Sequence, residues 1–186
     1  MNITKFVLMK RILPILILTL LLLPLEGRCE GERVLLGGYF SPKACGVTTV
    51  FPGEKVFHEL RLSADLDGVI RGLTAYPGVR ADWHMNYHIG NWKPSEEMQV
   101  RFYAGPGVML GYVRDGDRGR GVAAALSGTI GAAFVFSSSP IRITLGFSGV
   151  LGCHATITGT RNSTLTLYRS GLRNTVIPEL GIRYCF

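Results

Sequence analysis

The 186-residue sequence predicts an all-β chain folded as a closed antiparallel up-and-down transmembrane β-barrel of eight strands. Three observations carry that expectation. Apolar and polar residues alternate at period two over much of the chain, which sends successive side chains to opposite faces of a strand. Several of these runs are far longer than the usual globular strand of about 5–6 residues. The polar faces mix charged side chains with glycines, as a narrow polar bore would. With 47% hydrophobic and 18% charged residues, the composition is apolar for a soluble chain of one domain.

The N-terminus reads differently. Lys5, Lys10 and Arg11 precede an apolar run from Ile12 to Leu25, broken only by Pro14, Thr19 and Pro24. A positive head, a short apolar middle and a polar, glycine-containing end are the layout of a secretory signal peptide. The run is shorter than the roughly 20 apolar residues a spanning helix needs, so a retained anchor helix is the weaker alternative. The expected division is residues 1–29 as signal peptide and 30–186 as barrel. Cleavage after Cys29 places Gly27 and Cys29 at the small positions, and cleavage after Gly27 is nearly equivalent. A lipoprotein cut before Cys29 is disfavoured by Arg28. Removing 1–29 takes away Lys5, Lys10, Arg11 and Arg28 against Glu26, which lowers the formal charge from +7 to +4. That excess does not call for nucleic acid.

Seven strands are expected at 33–41, 55–66, 78–89, 98–113, 120–136, 140–154 and 174–186. The clearest is Ala81 to Ile89, with Ala81, Trp83, Met85, Tyr87 and Ile89 on one face and Asp82, His84, Asn86 and His88 on the other. An eighth is expected within 160–169, where Thr164, Thr166 and Tyr168 alternate with Leu165 and Leu167. Longer connections are expected at about 42–54, 67–77 and 155–163, and bulges at Pro106 and Pro178, because proline cannot donate to a ladder. Alternation alone also fits a soluble sandwich or lipocalin-like barrel. Length favours a membrane strand, which needs about 9–11 residues to cross, and so do Tyr112, Phe136 and Tyr184 near the ends of apolar faces. In hydrocarbon every backbone N–H and C=O must pair within the protein, so the sheet is expected to close.

Parity places Glu59, Arg61, Asp65, Arg80, Asp82, His84, His88, Arg101, Arg142, Glu179 and Arg183 inward. An unpaired buried charge costs several kcal/mol, and eight strands leave little room beyond side chains. The expected result is a lumen filled by a charge-paired network. His84 and His88, four residues apart on a strand, are separated by about 13 Å, too far for one metal ion. His154 shares the inward face with Ser148 but has no identifiable acid partner, and His58 is expected at an interfacial position. Cys45, Cys153 and Cys185 can form one pair at most and lack metal-ligand spacing. No metal, cofactor or catalytic site is expected.

The final strand, with Leu180, Ile182, Tyr184 and the terminal Phe186 alternating, resembles the small eight-stranded outer-membrane β-barrel proteins of Gram-negative bacteria. The glycine-rich stretches Tyr103 to Val108 and Leu145 to Gly149 are similar to that group as well. The resemblance implies an outer-membrane location, a C-terminal signal read by the barrel assembly machinery, and contact with outer-membrane lipid and lipopolysaccharide. It implies little about function, since such barrels serve as adhesion, resistance and structural proteins, narrow pores and lipid-modifying enzymes. The expectation is a structural or interaction role through surface loops, with an external partner not identified by the sequence. The alternatives are a narrow pore for small solutes and, less favoured, a lipid-modifying enzyme.

Overall fold

Alternation at period two becomes a cylinder whose greasy side chains point outward. The computed structural model describes residues 33–115, 119–158, 162–168 and 177–186, so the expected signal peptide lies outside the described residues. In chain order the strands are β1 (Leu35–Phe40), β2 (Ala44–Phe51), β3 (Val56–Asp65), β4 (Gly78–Trp92), β5 (Met98–Arg114), β6 (Arg120–Phe136), β7 (Ile141–Thr158), β8 (Asn162–Leu167) and β9 (Ile177–Cys185), with a short helix α1 (Asp67–Ile70) between β3 and β4. All neighbours are antiparallel. The sheet runs β6-β5-β4-β3-β2-β1-β9-β7-β8, and a β6–β7 pairing closes it.

Among the described residues nine strands form eight staves. β7 pairs through Ile141–Ser148 with β9 and through Cys153–Thr158 with β8, so β8 and β9 lie end to end along one side of it. Two expectations are corrected here. The stretch 42–54, expected as a connection, contains the whole of β2. The segment 160–169 does contain a strand, but it shares a stave with β9 and is not an independent eighth. Connections 52–55, 93–97 and 137–140 lie at the end of the barrel that also holds Val34 and Phe186. The β1–β2 turn, α1 and the β5–β6 connection lie at the far end.

The bulge falls elsewhere than expected. The register of β4 against β5 shifts between His88 and Gly90. Pro106 sits without a shift opposite Gly128 of β6, and on its other side the β4–β5 ladder skips from His84–Gly107 to Tyr87–Ala104. The missing proline N–H therefore coincides with a gap in pairing. Pro178 lies beyond Leu180, where pairing with β1 ends.

At the far end the β1–β2 turn is held by Ser41, whose N–H and hydroxyl donate to the Ala44 carbonyl at 2.8 and 3.1 Å. After α1 and its C-cap Arg71 comes Gly72, which takes the left-handed conformation (φ 69°) that glycine adopts without steric cost. Asp67 of α1 draws in Arg71 at 3.2 Å and Lys43 at 3.8 Å. Burial lowers the Lys43 ammonium below its ordinary pKa, against the pull of the Asp67 carboxylate.

Outward-facing side chains form an apolar surface round the barrel. Val47, Leu60, Leu62, Val108, Leu110, Leu126, Ile130, Leu145, Leu151 and Ile182 are all exposed, Leu126 by 67%. Phe51, Trp92 and Phe186 are exposed near the end with the chain termini, and Phe40 and Tyr112 near the far end. A half-exposed aromatic shows on the order of 100 Å², so these residues together exceed the few hundred Å² that the largest apolar patch of an ordinary soluble monomer reaches.

Candidate functional site in the barrel interior

The interior is layered. Near the terminal end Leu35, Val50, Phe57, Tyr103 and Cys185 pack together, and nearer the far end Met109, Val113, Ala123, Val150 and Tyr168 do the same. Between them lies an ionic layer supplied by β1, β2, β3, β4, β6 and β9. Its centre is Glu59, fully buried on β3. Oε1 of Glu59 accepts from Thr48 Oγ1 at 2.8 Å, Arg61 Nε at 2.8 Å and Arg183 Nη2 at 2.6 Å. Oε2 accepts from Arg61 Nη2 at 3.2 Å and from Asn86 Nδ2 at 3.5 Å. Arg61, two residues on and therefore on the same face, also donates Nη1 to Glu179 Oε2 at 2.8 Å. Tyr39 donates its hydroxyl to Glu179 Oε1 at 3.0 Å, while the Arg61 guanidinium lies 4.6 Å from the Tyr39 ring centroid. Thr129 donates to Asn86 Oδ1 at 2.7 Å. Two carboxylates and two guanidiniums thus share one desolvated cluster. Such a cluster is tolerable only when nearly every lone pair and N–H is satisfied.

A second pair sits beside it on β4, where Arg80 Nε meets Asp82 Oδ2 at 3.0 Å. His84 is buried two residues further along the strand, its Nε2 at 3.0 Å from Ser127 Oγ. Asp65 caps the backbone N–H of Asp67 at 3.0 Å and does not join the cluster. Arg101 and Arg142 are half-buried nearer the terminal end, and His88 is exposed there. Of the eleven inward positions expected from parity, the structure gathers Glu59, Arg61, Glu179 and Arg183 into one cluster and Arg80 with Asp82 into another. Among the described residues Asp65, His84, His88 and Arg101 make no hydrogen bond or ion pair to either, and Arg142 lies nearer the terminal end.

Tyr39, Thr48, Asn86, Ser127 and Thr129 complete the interior network and are not anticipated as members. Asn86 is placed on the correct face by alternation, but without a charge nothing in the sequence pairs it with Glu59 or Thr129. Glycines make the network possible. A Cβ on Gly107 would lie against the His84 ring and 2.7 Å from Ser127 Oγ, and one on Gly131 would lie 2.6 Å from the Tyr103 hydroxyl oxygen.

The remaining candidates resolve into local contacts. His154 is buried, with Nε2 3.1 Å from the Val113 carbonyl and Nδ1 3.0 Å from Thr156 Oγ1. Nε2 therefore donates, and Nδ1 accepts from the threonine hydroxyl. His58 faces outward and stacks on Trp83 with ring centroids 5.6 Å apart. Cys45 and Cys153 are free thiols. No group of three or more His, Cys, Asp or Glu residues is arranged for a metal ion among the described residues. In the last strand Leu180, Ile182 and Phe186 point outward, and Tyr184 packs edge-on against Phe186 at 5.0 Å. Comparison with protein-family models, with curated proteins and with solved structures finds no match to this chain.

Proposed function

We propose that this chain is a small outer-membrane barrel with a charge-plugged lumen, acting as a structural or interaction protein through the connections at its far end. The observation that supports the reading most is the sense of the wall. Charged side chains turn into the bore and leucine, isoleucine, valine and aromatic side chains turn out, which inverts the arrangement of a soluble barrel. Immersed in water, that exterior forfeits about 25 cal/mol per Å² of apolar area left uncovered; immersed in hydrocarbon, it forfeits little. The aromatic residues toward both ends suit interfacial girdles.

The plug follows from the Glu59–Arg61–Glu179–Arg183 cluster. An ion crossing the bore would have to displace contacts of 2.6–2.8 Å between charges already removed from water. In this reading the termini face the periplasm. The signal peptide directs export, the outward residues of β9 are presented to the barrel assembly machinery, and α1 with its flanking loop meets lipopolysaccharide or an external partner. His154 has no catalytic role in it, because both its ring nitrogens are taken up by Val113 and Thr156.

Three measurements test the proposal. The refolded chain should migrate differently with and without heating on a denaturing gel, as a detergent-resistant barrel does, and should partition into lipid vesicles. A chain that is soluble and monodisperse without detergent would overturn the membrane assignment. In planar bilayers the barrel should show no reproducible conductance, and a stable open state would replace the plug with a narrow pore.

A further inference from the structure

The sequence contains four cysteines, Cys29, Cys45, Cys153 and Cys185. Cys45 and Cys153 are free thiols, whereas Cys185 is disulfide-bonded. Within one chain, subtraction leaves Cys29, which lies outside the described residues, as its partner. The setting of Cys185 suits a bond inside the chain. Its side chain turns into the bore, is 3% exposed and packs with Leu35, Val50, Phe57 and Tyr103, so its sulfur is shielded from a second copy. Cys185 stands directly opposite Leu35 in the β1–β9 register, and the next residue, Phe186, donates its N–H to the Val34 carbonyl at 3.4 Å. Cross-strand partners of this kind are about 5 Å apart at Cα. Cys29 precedes Leu35 by six positions, a tether that reaches up to about 20 Å. That is ample to double back to within the roughly 4.4–6.8 Å between Cα atoms that a disulfide requires.

We propose that Cys29 stays in the mature chain and that a Cys29–Cys185 disulfide staples its two ends. The bond forms when the two thiols lose two protons and two electrons to a low-molecular-weight disulfide such as oxidised glutathione, which leaves as two thiols. Such a bond persists in an oxidising compartment, so the inference rests on the export part of the functional reading but not on what the exterior faces. Of the two signal-cleavage positions, the cut after Gly27 retains Cys29 and the cut after Cys29 discards it, so the staple selects the first. A lipid thioether on Cys29 is incompatible with it, because one sulfur does not carry both bonds. The bond also sits at a seam that needs it. β1 and β9 are the first and last strands, and their pairing is supported by no connecting loop. Tying the chain ends together withdraws a loop as long as the whole barrel from the unfolded ensemble, where loop-closure entropy is largest.

The test is a peptide map of the full sequence expressed in an exporting Gram-negative host, with free thiols blocked by N-ethylmaleimide during unfolding. Trypsin cuts after Arg33 and Arg183. The expected product is the C-terminal tripeptide Tyr184-Cys185-Phe186 linked to a peptide that holds Cys29 and ends at Arg33, and dithiothreitol should separate the two. Without reductant, Cys45 and Cys153 should take the maleimide and Cys185 should not. In C29S, Cys185 should join the blocked set. C29S and C185S should both unfold at lower urea than the oxidised native chain, and C153S should not. Reduction should lower the midpoint of the native chain and leave that of C29S unchanged. An N-terminus at Glu30 with Cys185 blocked would overturn the proposal, as would a bond from Cys185 to Cys45, to Cys153 or to a second chain. None of these results touches the membrane reading, which has its own gel and bilayer tests. A chain that retains residues 1–27 and still yields the linked peptides would support the staple and remove the signal-peptide reading instead.

Discussion

Arg183 Nη2 lies 2.6 Å from Glu59 Oε1, although 124 positions separate the two residues in the chain. The contact joins β9 to β3 through the bore, spanning the two strands β1 and β2 that lie between them in the sheet. Glu59 is therefore the residue whose loss should be felt most. Glu59→Gln removes the single carboxylate shared by Arg61 and Arg183 and leaves two guanidiniums facing each other in a desolvated interior. Breaking a buried pair from one side costs about 3–5 kcal/mol. Urea unfolding in detergent or vesicles should show a loss of that order for E59Q, against less than about 0.5 kcal/mol for the exposed Glu54→Gln. Equal midpoints for the two variants would mean that the cluster contributes nothing.

Tyr39 offers a finer probe of the same layer. Tyr39→Phe keeps the ring beneath the Arg61 guanidinium and removes only the hydroxyl that donates to Glu179 at 3.0 Å. Hydrogen bonds to a charged group contribute about 1.5–3 kcal/mol. Y39F should lose a free energy in that range, and Y39L, which also removes the stacking surface, should lose more. If Y39F unfolds with the native protein, the bond is replaced by water.

The glycines of the inward face make a steric prediction. Gly107 is pressed between His84 and Ser127, so Gly107→Ala should cost about 1–3 kcal/mol, as overpacking does. In a cycle with His84→Ala the two effects should add only in part, because removing the ring relieves one close contact while the Trp83 carbonyl oxygen, 2.5 Å from the new methyl, remains. Full additivity would place the strain in the backbone at Trp83 instead.

How much of this was legible beforehand varied with the contrast between the two faces of each strand. In β4, aromatic and aliphatic residues alternate with Asp82, His84 and Asn86, and both the strand and its orientation could be read directly. In β2 the outward set Cys45, Val47, Thr49 and Phe51 differs little from the inward set Ala44, Gly46, Thr48 and Val50. With both faces small or apolar, period two has nothing to display, and the strand reads as a connection. Leu165 and Leu167 were correctly opposed to Tyr168, which is buried in the bore. That β8 lies end to end with β9 along β7 is a fact of long-range pairing, which alternation does not encode. For the interior, parity identified which charges turn inward but not which would meet. Glu59 reaches Arg61, Arg183 and Thr48 through the register of four strands, and Asp65 spends its carboxylate on the N–H of Asp67.

The sense of the wall gives the prediction on which the membrane proposal stands. Leu126 sits mid-strand on β6, opposite Val108 and Leu151, and is 67% exposed. In a water-soluble barrel, Leu126→Arg would replace an exposed apolar group by a charged one and shift stability by no more than about 0.5 kcal/mol. In a bilayer the same arginine lies near the hydrocarbon midplane, where it costs about 2–4 kcal/mol. Ile70→Arg is the control: Ile70, in α1 at the far end, is 65% exposed but outside the wall, so its substitution should be neutral in either solvent. Folding into phospholipid vesicles, followed by urea titration, should therefore separate L126R from I70R by several kcal/mol. If both variants refold with the stability of the native chain, the apolar exterior is not facing lipid.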